Sequence, residues 1–150
     1  MKVMASGTFD IIHPGHGLYL RKAKEMGGQD AKLVVVVAKD STVKRRKRIP
    51  IINENQRLEM IKFLKPVDEA YLGHDGDMFE IVKEINPDII AIGADQDFNL
   101  DKLRDELKKR NLDIEVKKVE DYHTADLDSS CKIIKKIKKT NYGKEYLKDC

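Results

Sequence analysis

Residues 33–38 read Leu-Val-Val-Val-Val-Ala, an unbroken apolar run with four valines in succession. A strand with one face in water alternates apolar and polar residues, whereas a run of this kind belongs to a central strand covered on both faces. Such strands occur almost only in parallel sheets, whose crossover helices provide the cover. The run is far shorter than the roughly 20 residues needed to cross a bilayer, and no other apolar stretch approaches that length.

The rest of the chain supplies the partners this strand requires. Residues 2–6 read as a first strand. Residues 15–26 read as a helix, with Tyr19, Ala23 and Met26 at helical spacing and Gly27-Gly28 ending it. A basic loop follows the valine run over residues 39–50. Asn53 and Gln56 have the spacing of a capping box, opening a helix whose apolar face includes Leu58, Ile61 and Leu64. Residues 69–72 form a third strand, 78–85 a helix stopped by Asn86-Pro87, and 89–92 a fourth strand. Leu100, Leu103 and Leu107 stripe a further helix, residues 114–119 form strand five, and a last helix covers about 129–138. The expected fold class is α/β, a Rossmann-like parallel five-stranded sheet with helices on both faces and right-handed crossovers.

The 150 residues suit one domain over residues 1–139, with a C-terminal tail at 140–150 that keeps no apolar periodicity and is expected to be loosely held. Although 37% of the residues are charged, 29 Lys and Arg against 26 Asp and Glu leave a net charge of only +3. That balance fits an anionic small-molecule ligand and does not by itself indicate nucleic acid. The N-terminus lacks a signal-peptide pattern, so cytoplasm is the expected location. Cys131 and Cys150 are too few and too far apart for a disulfide framework or a zinc site, and both are expected to be reduced thiols. Cys131, beside two serines in a prospective ligand loop, is the candidate for a reactive one.

In open parallel sheets, ligands bind beyond the carboxyl ends of the strands, where strand order reverses. The loops that follow strands are 7–16, 39–50, 73–77, 93–97 and 122–130. The first contains Gly7-Thr8-Phe9-Asp10 and then His13-Pro14-Gly15-His16. Pro14 holds His13 extended, and Gly15 removes a side chain that would keep a ligand off the backbone. His16 falls in the first helical turn, where free N–H groups and the helix dipole attract anions. Two imidazoles around Pro-Gly suit a loop that wraps a phosphate chain, with imidazolium donors aimed at the α- and β-phosphates. The structural alternative is an N-cap histidine beside a packed core histidine. A metal site is disfavoured, because no nearby third ligand completes it.

These two motifs are joined by Ile92-Gly93-Ala94-Asp95 after strand four and Ser129-Ser130-Cys131-Lys132-Ile133 at the last helix. Together they resemble the HxGH nucleotidylyltransferase superfamily, cytidylyltransferases and adenylyltransferases of small phosphorylated acceptors, over nearly the whole chain. The spacing and the loop Gly73-His74-Asp75-Gly76-Asp77-Met78 are most similar to the archaeal FAD synthase family. Cytidylyltransferases carry Arg-Thr-Glu-Gly-Ile-Ser-Thr-Thr before the last helix. This chain has Thr124-Ala125-Asp126-Leu127-Asp128-Ser129-Ser130-Cys131 there, a departure that puts glycerol-phosphate cytidylyl transfer in doubt.

The resemblance implies in-line attack of an acceptor phosphate on the α-phosphate of a nucleoside triphosphate, with pyrophosphate leaving and no covalent nucleophile on the protein. It implies ATP and FMN as substrates, CTP as the alternative nucleotide, and a divalent cation, Mg²⁺, held through phosphate oxygens. Neither nucleic acid nor a membrane is an expected partner. Related enzymes commonly pair as homodimers, though no residue in the sequence demonstrates an interface. The rival readings are transfer to another phosphorylated acceptor, such as glycerol 3-phosphate or a phosphopantetheine, and a nucleotide-binding sensor without turnover. A relic of a class I aminoacyl-tRNA synthetase is a third, although the chain has no Lys-Met-Ser-Lys-Ser run.

Residue by residue, the resemblance implies catalytic roles for His13, His16 and Lys44, the last as the cation beside the attacking oxygen. Thr8, Phe9, Pro14, Gly15 and Gly93 would hold the nucleotide, and Asp95 would accept from a ribose hydroxyl, with Asp97 a weaker second. Ser129 and Ser130 would hold the outgoing phosphates, and Tyr122 and His123 would border the base. Asp10 and Arg57 would join Lys44 on the acceptor side. Plainer readings stand beside these. Ser129 is equally an N-cap, Asp10 a turn cap, Asp95 a turn former and Arg57 a helix-surface residue. The basic run also reads as a solvated loop or a nucleic-acid patch, and His74 as structural.

Overall fold

The valine run sits second from one edge of a five-stranded, all-parallel sheet of order β3-β2-β1-β4-β5. The computed structural model describes residues 1–120, 125–140 and 147–148. Its elements run β1 (Lys2–Gly7), α1 (Pro14–Glu25), β2 (Lys32–Val37), α2 (Asp40–Arg45), α3 (Glu54–Lys62) and β3 (Glu69–Leu72). They continue as α4 (Met78–Ile85), β4 (Ile89–Ile92), α5 (Leu100–Lys109), β5 (Glu115–Lys118) and α6 (Ser130–Lys139). Among the described residues, no helix is long and apolar enough to cross a membrane.

Alternation along β2 explains why both faces had to be apolar. Leu33, Val35 and Val37 join a core with Tyr19, Leu20 and Ala23 of α1 and Ile61 of α3. Val34 and Val36 face the other way, into a core with Ile81, Val82 and Ile85 of α4 and Leu103 and Leu107 of α5. Two hydrophobic layers thus sandwich one sheet, as the sequence predicts. The helices begin where short polar side chains cap them. Asn53, Asp77, Asn99 and Ser129 each accept a backbone N–H of the turn that follows. Asn86 ends α4 in the left-handed conformation, with φ +48°.

The expected loop over residues 39–50 is corrected in its first half, which forms the short helix α2. Val43 is its one buried residue, and a single anchor leaves no periodicity to read. Asp40 in the first turn and Lys44 and Arg45 in the last complement the helix dipole. Of the expected tail, residues 141–146 and 149–150 lie outside the described residues.

Strand order reverses between β1 and β4, so their carboxyl ends open the crevice in which such sheets bind ligands. Beside it lies Arg57, which the resemblance places with the acceptor. The structure corrects that assignment, because the Arg57 side chain is fully buried. Its Nε donates to the Ile52 carbonyl at 2.8 Å, and Nη1 to the carbonyls of Thr8 at 2.7 Å and Ala38 at 2.8 Å. Nη2 reaches Asp40 Oδ1 at 2.7 Å, and this bond holds the Asp40 carboxyl below its usual range. One guanidinium therefore ties together the loop after β1, the loop after β2 and the entry to α3. A ligand phosphate cannot reach a group already spent in this way.

Removing the guanidinium leaves three backbone carbonyls and a carboxylate without their donor. Arg57→Met should lower folding stability by about 3–5 kcal/mol, and Arg57→Lys by less, measured as urea unfolding midpoints. A loss below about 1 kcal/mol for the methionine variant would contradict the role assigned here.

Candidate active site

An open cleft of about 750 Å³ lies at the β1–β4 crevice, large enough for a nucleotide with a second small molecule. Its floor is the turn after β1. Phe9 adopts φ +53° there while only 3% exposed, a conformation that costs a bulky residue energy. The Phe9 ring lies 5.4 Å from that of His16 and 6.4 Å from that of Tyr19. Tyr19 is itself held by donating to the Ala91 carbonyl at 2.9 Å. The strained residue thus has aromatic neighbours that fix it in place.

His13 is the N-cap position of α1 and His16 its third residue. Their rings stack at 3.8 Å between centroids. The His13 backbone N–H donates to His16 Nδ1 at 3.3 Å, so in the neutral ring the proton sits on Nε2. Burial, and secondly the nearness of His13, lowers the His16 pKa to about 3. The sequence reading expects imidazolium donors; at neutral pH His16 is instead a neutral imidazole with one N–H to offer. Gly15 between them has a steric reason as well as the expected one. A Cβ there would lie 2.7 Å from the Asp128 carbonyl oxygen and 2.8 Å from the His13 ring, so any side chain would push the segment before α6 off the turn.

Thr8, Phe9, Asp10, His13, Gly15 and His16 all line the cleft. From across the crevice, so do Gly93, Asp95 and Asp97, and from the start of α6, Ser129 and Ser130. Ser129 Oγ accepts the Lys132 N–H at 3.1 Å, the plain N-cap reading, and Ser130 Oγ donates to the Ile11 carbonyl at 3.3 Å. Asp10 uses both carboxylate oxygens to accept the N–H groups of Ile51 and Ile52, at 2.9 and 2.8 Å. It therefore anchors the segment leading into α3, closer to the turn-cap reading than to acceptor contact. Pro14 and Lys44 are exposed and do not line the cleft. Tyr122 and His123 lie outside the described residues. His74 stands apart, 3.2 Å from Glu84.

Several lining residues escaped the sequence reading. Gln96 Oε1 accepts the Gly93 N–H at 2.7 Å and its Nε2 donates to the Ser6 carbonyl at 2.8 Å, bridging the ends of β4 and β1. Asp128, 6% exposed, pairs with Lys132 at 2.6 Å. Arg46 and Arg48 line the cleft where Lys44 was expected. A signal for the arginines existed in the basic run; nothing local distinguished Gln96 from its neighbours. Among the described residues, no group of three or more His, Cys, Asp or Glu could hold a metal ion.

Comparison with known proteins agrees with this geometry. The Cytidylyltransferase-like family matches residues 4–136. A FAD synthase of Methanobrevibacter ruminantium is 67% identical over 147 residues, 98% of each chain. One from Methanothermobacter thermautotrophicus is 62% identical over 99% of this chain and 98% of its own. Among solved structures, a lipopolysaccharide core biosynthesis protein from Thermoplasma volcanium superposes with a TM-score of 0.77 at 45% identity, covering 81% of this chain and 98% of its own. With the paired-histidine turn at the switch point of the sheet and a family match running from β1 into α6, the chain belongs to the cytidylyltransferase-like family.

Proposed function

We propose that this chain is an FMN adenylyltransferase, joining ATP and FMN to give FAD and pyrophosphate. The observation that carries the reading is the stacked His13–His16 pair at the N-terminus of α1, in a cleft with room for both substrates. The choice of acceptor and base rests on relatives named FAD synthase at 67% and 62% identity over nearly full length. A cytoplasmic location belongs to the same proposal, as does a homodimeric assembly, the latter carried from the resemblance.

In this mechanism a phosphate oxygen of FMN attacks the α-phosphorus of ATP in line, forming the new P–O bond as the bond to the β-phosphate bridging oxygen breaks. The electron pair leaves with pyrophosphate, and no proton need move through a protein side chain. Catalysis is then positioning and charge stabilisation. The Nε2–H of His16 and the positive end of α1 face charge that grows at the pentavalent centre. A neutral His16 still offers its Nε2–H to that charge, and phosphate charge beside it favours the protonated ring. A divalent cation such as Mg²⁺, carried in with the nucleotide, would supply charge neutralisation at the phosphates beside the His13–His16 turn. Ser129, Ser130 and the ribose-side Asp95 complete the nucleotide half of the proposed site.

Two experiments test this reading. With ATP and FMN, the protein should release one pyrophosphate per FAD, followed by chromatography. His16→Ala should lower kcat by roughly 10²–10³-fold, the size of a lost donor at developing charge. No FAD from the parent, or full turnover by the variant, would reject the assignment. The second concerns pH. A free histidine titrates near 6.5 and folded His16 at about 3, so between these values the unfolded chain binds more protons than the folded one. The stability share of His16 is therefore complete above pH 6.5 and declines as pH falls toward 3. The difference in Tm between the parent and His16→Gln should accordingly shift against the parent from pH 7.5 to pH 5; a difference independent of pH would contradict a neutral His16.

A further inference from the structure

Ile49 is 84% exposed, more than any other large apolar side chain among the described residues, and it directly follows the run of lysines and arginines that ends at Arg48. Nothing in the two cores uses it. Its position is nonetheless built. On one side the Arg48 N–H donates to the carbonyl of buried Val43 at 3.3 Å. On the other, the carboxylate of Asp10 grips the N–H groups of Ile51 and Ile52, and Arg57 holds the Ile52 carbonyl. Lys47, with φ +59°, turns the chain between Arg46 and Arg48. Arg46, Arg48, Ile49 and Pro50 all line the cleft.

This wall follows β2, whereas Gly93, Asp95 and Asp97 follow β4; β1 lies between the two strands, so the walls flank the histidine turn from opposite sides. If the nucleotide sits on the β4 side, the β2 side receives the acceptor. Two cations suit a phosphate there, but a small phosphorylated polyol has no use for an apolar side chain held out in water. A flat aromatic ring does.

We propose that Ile49, seated beside Pro50, is a specificity-determining ledge for the planar ring of the acceptor, with Arg46 and Arg48 meeting the acceptor phosphate. The inference rests on the adenylyl-transfer reading above. Covering Ile49 with a ring face removes from water the apolar surface that folding left exposed, and the arginines add charge-assisted bonds to the phosphate.

The test separates ring from phosphate by titrating flavin fluorescence with FMN and with riboflavin, which lacks the phosphate. Ile49→Ser should weaken both flavins by a similar factor, roughly ten-fold, with the KM for ATP and the Tm unchanged. Ile49→Leu should restore binding. Arg48→Ser should weaken FMN and leave riboflavin nearly unaffected. FMN affinity unchanged in Ile49→Ser overturns the ledge, as does an equal loss for ATP. So does a change of oligomeric state by light scattering with flavin affinity intact, which would make Ile49 a contact between copies. If the parent makes FAD and Ile49→Ser matches it in flavin affinity, the ledge alone fails. If the parent makes no FAD from ATP and FMN, the adenylyl-transfer reading fails and the ledge with it.

Discussion

The buried guanidinium of Arg57 holds the ligand side of this sheet together. Parallel strands end in carbonyls that point out of the sheet, and the loops after β1 and β2 must bend away at the same place. Arg57 collects the Thr8, Ala38 and Ile52 carbonyls and the Asp40 carboxylate in one planar fork. Burying a charge without partners would be prohibitive, and here it has four. Its planar geometry suits the task, since a lysine ammonium offers three donors that converge on a point rather than a fork. The strained Phe9 follows directly on Thr8, so the conformation of the histidine turn depends on the same anchor.

From that anchor the cleft acquires two chemically different walls. Gln96 clamps the ends of β1 and β4, fixing the side that carries Asp95 and Asp97. Asp10 clamps the other side, which carries Arg46, Arg48 and Ile49. Asp10 uses both carboxylate oxygens on backbone N–H groups, whereas Gln96 accepts one backbone N–H and donates to one backbone carbonyl; either way a loop is positioned without regular structure. Between the walls, the His13–His16 stack is packed tightly enough that His16 gives up its charge. Burial and the nearby His13 ring both disfavour a charge on His16.

The core and strand assignments were legible because they depend on local pattern. The valine run, the leucine stripe at 100, 103 and 107, and the Asn53 cap each announce themselves within a few residues. Helix α2 was not legible, since one buried valine in six residues makes no period. The paired histidines were legible by their spacing around Pro-Gly. Arg57 and Asp10 were noticed for their charge and assigned to a ligand, when their partners are backbone groups 49, 19, 41 and 42 positions away along the chain. A charged side chain looks the same in sequence whether it faces solvent, substrate or a buried carbonyl.

By itself, then, the sequence determined the layering, the five parallel strands and the phosphate-suited turn after the first of them. Each of these follows from contacts between near neighbours or from how continuous burial must be along one strand. The tertiary structure alone decided which cations face the cleft. Lys44 lies on the exposed side of a short helix, whereas Arg46 and Arg48 come after its end, where the chain turns inward toward the Asp10 clamp. It also decided that His16 is neutral and that Ile49 stands out in water, because burial and exposure are properties of the packed chain and not of any one stretch of it.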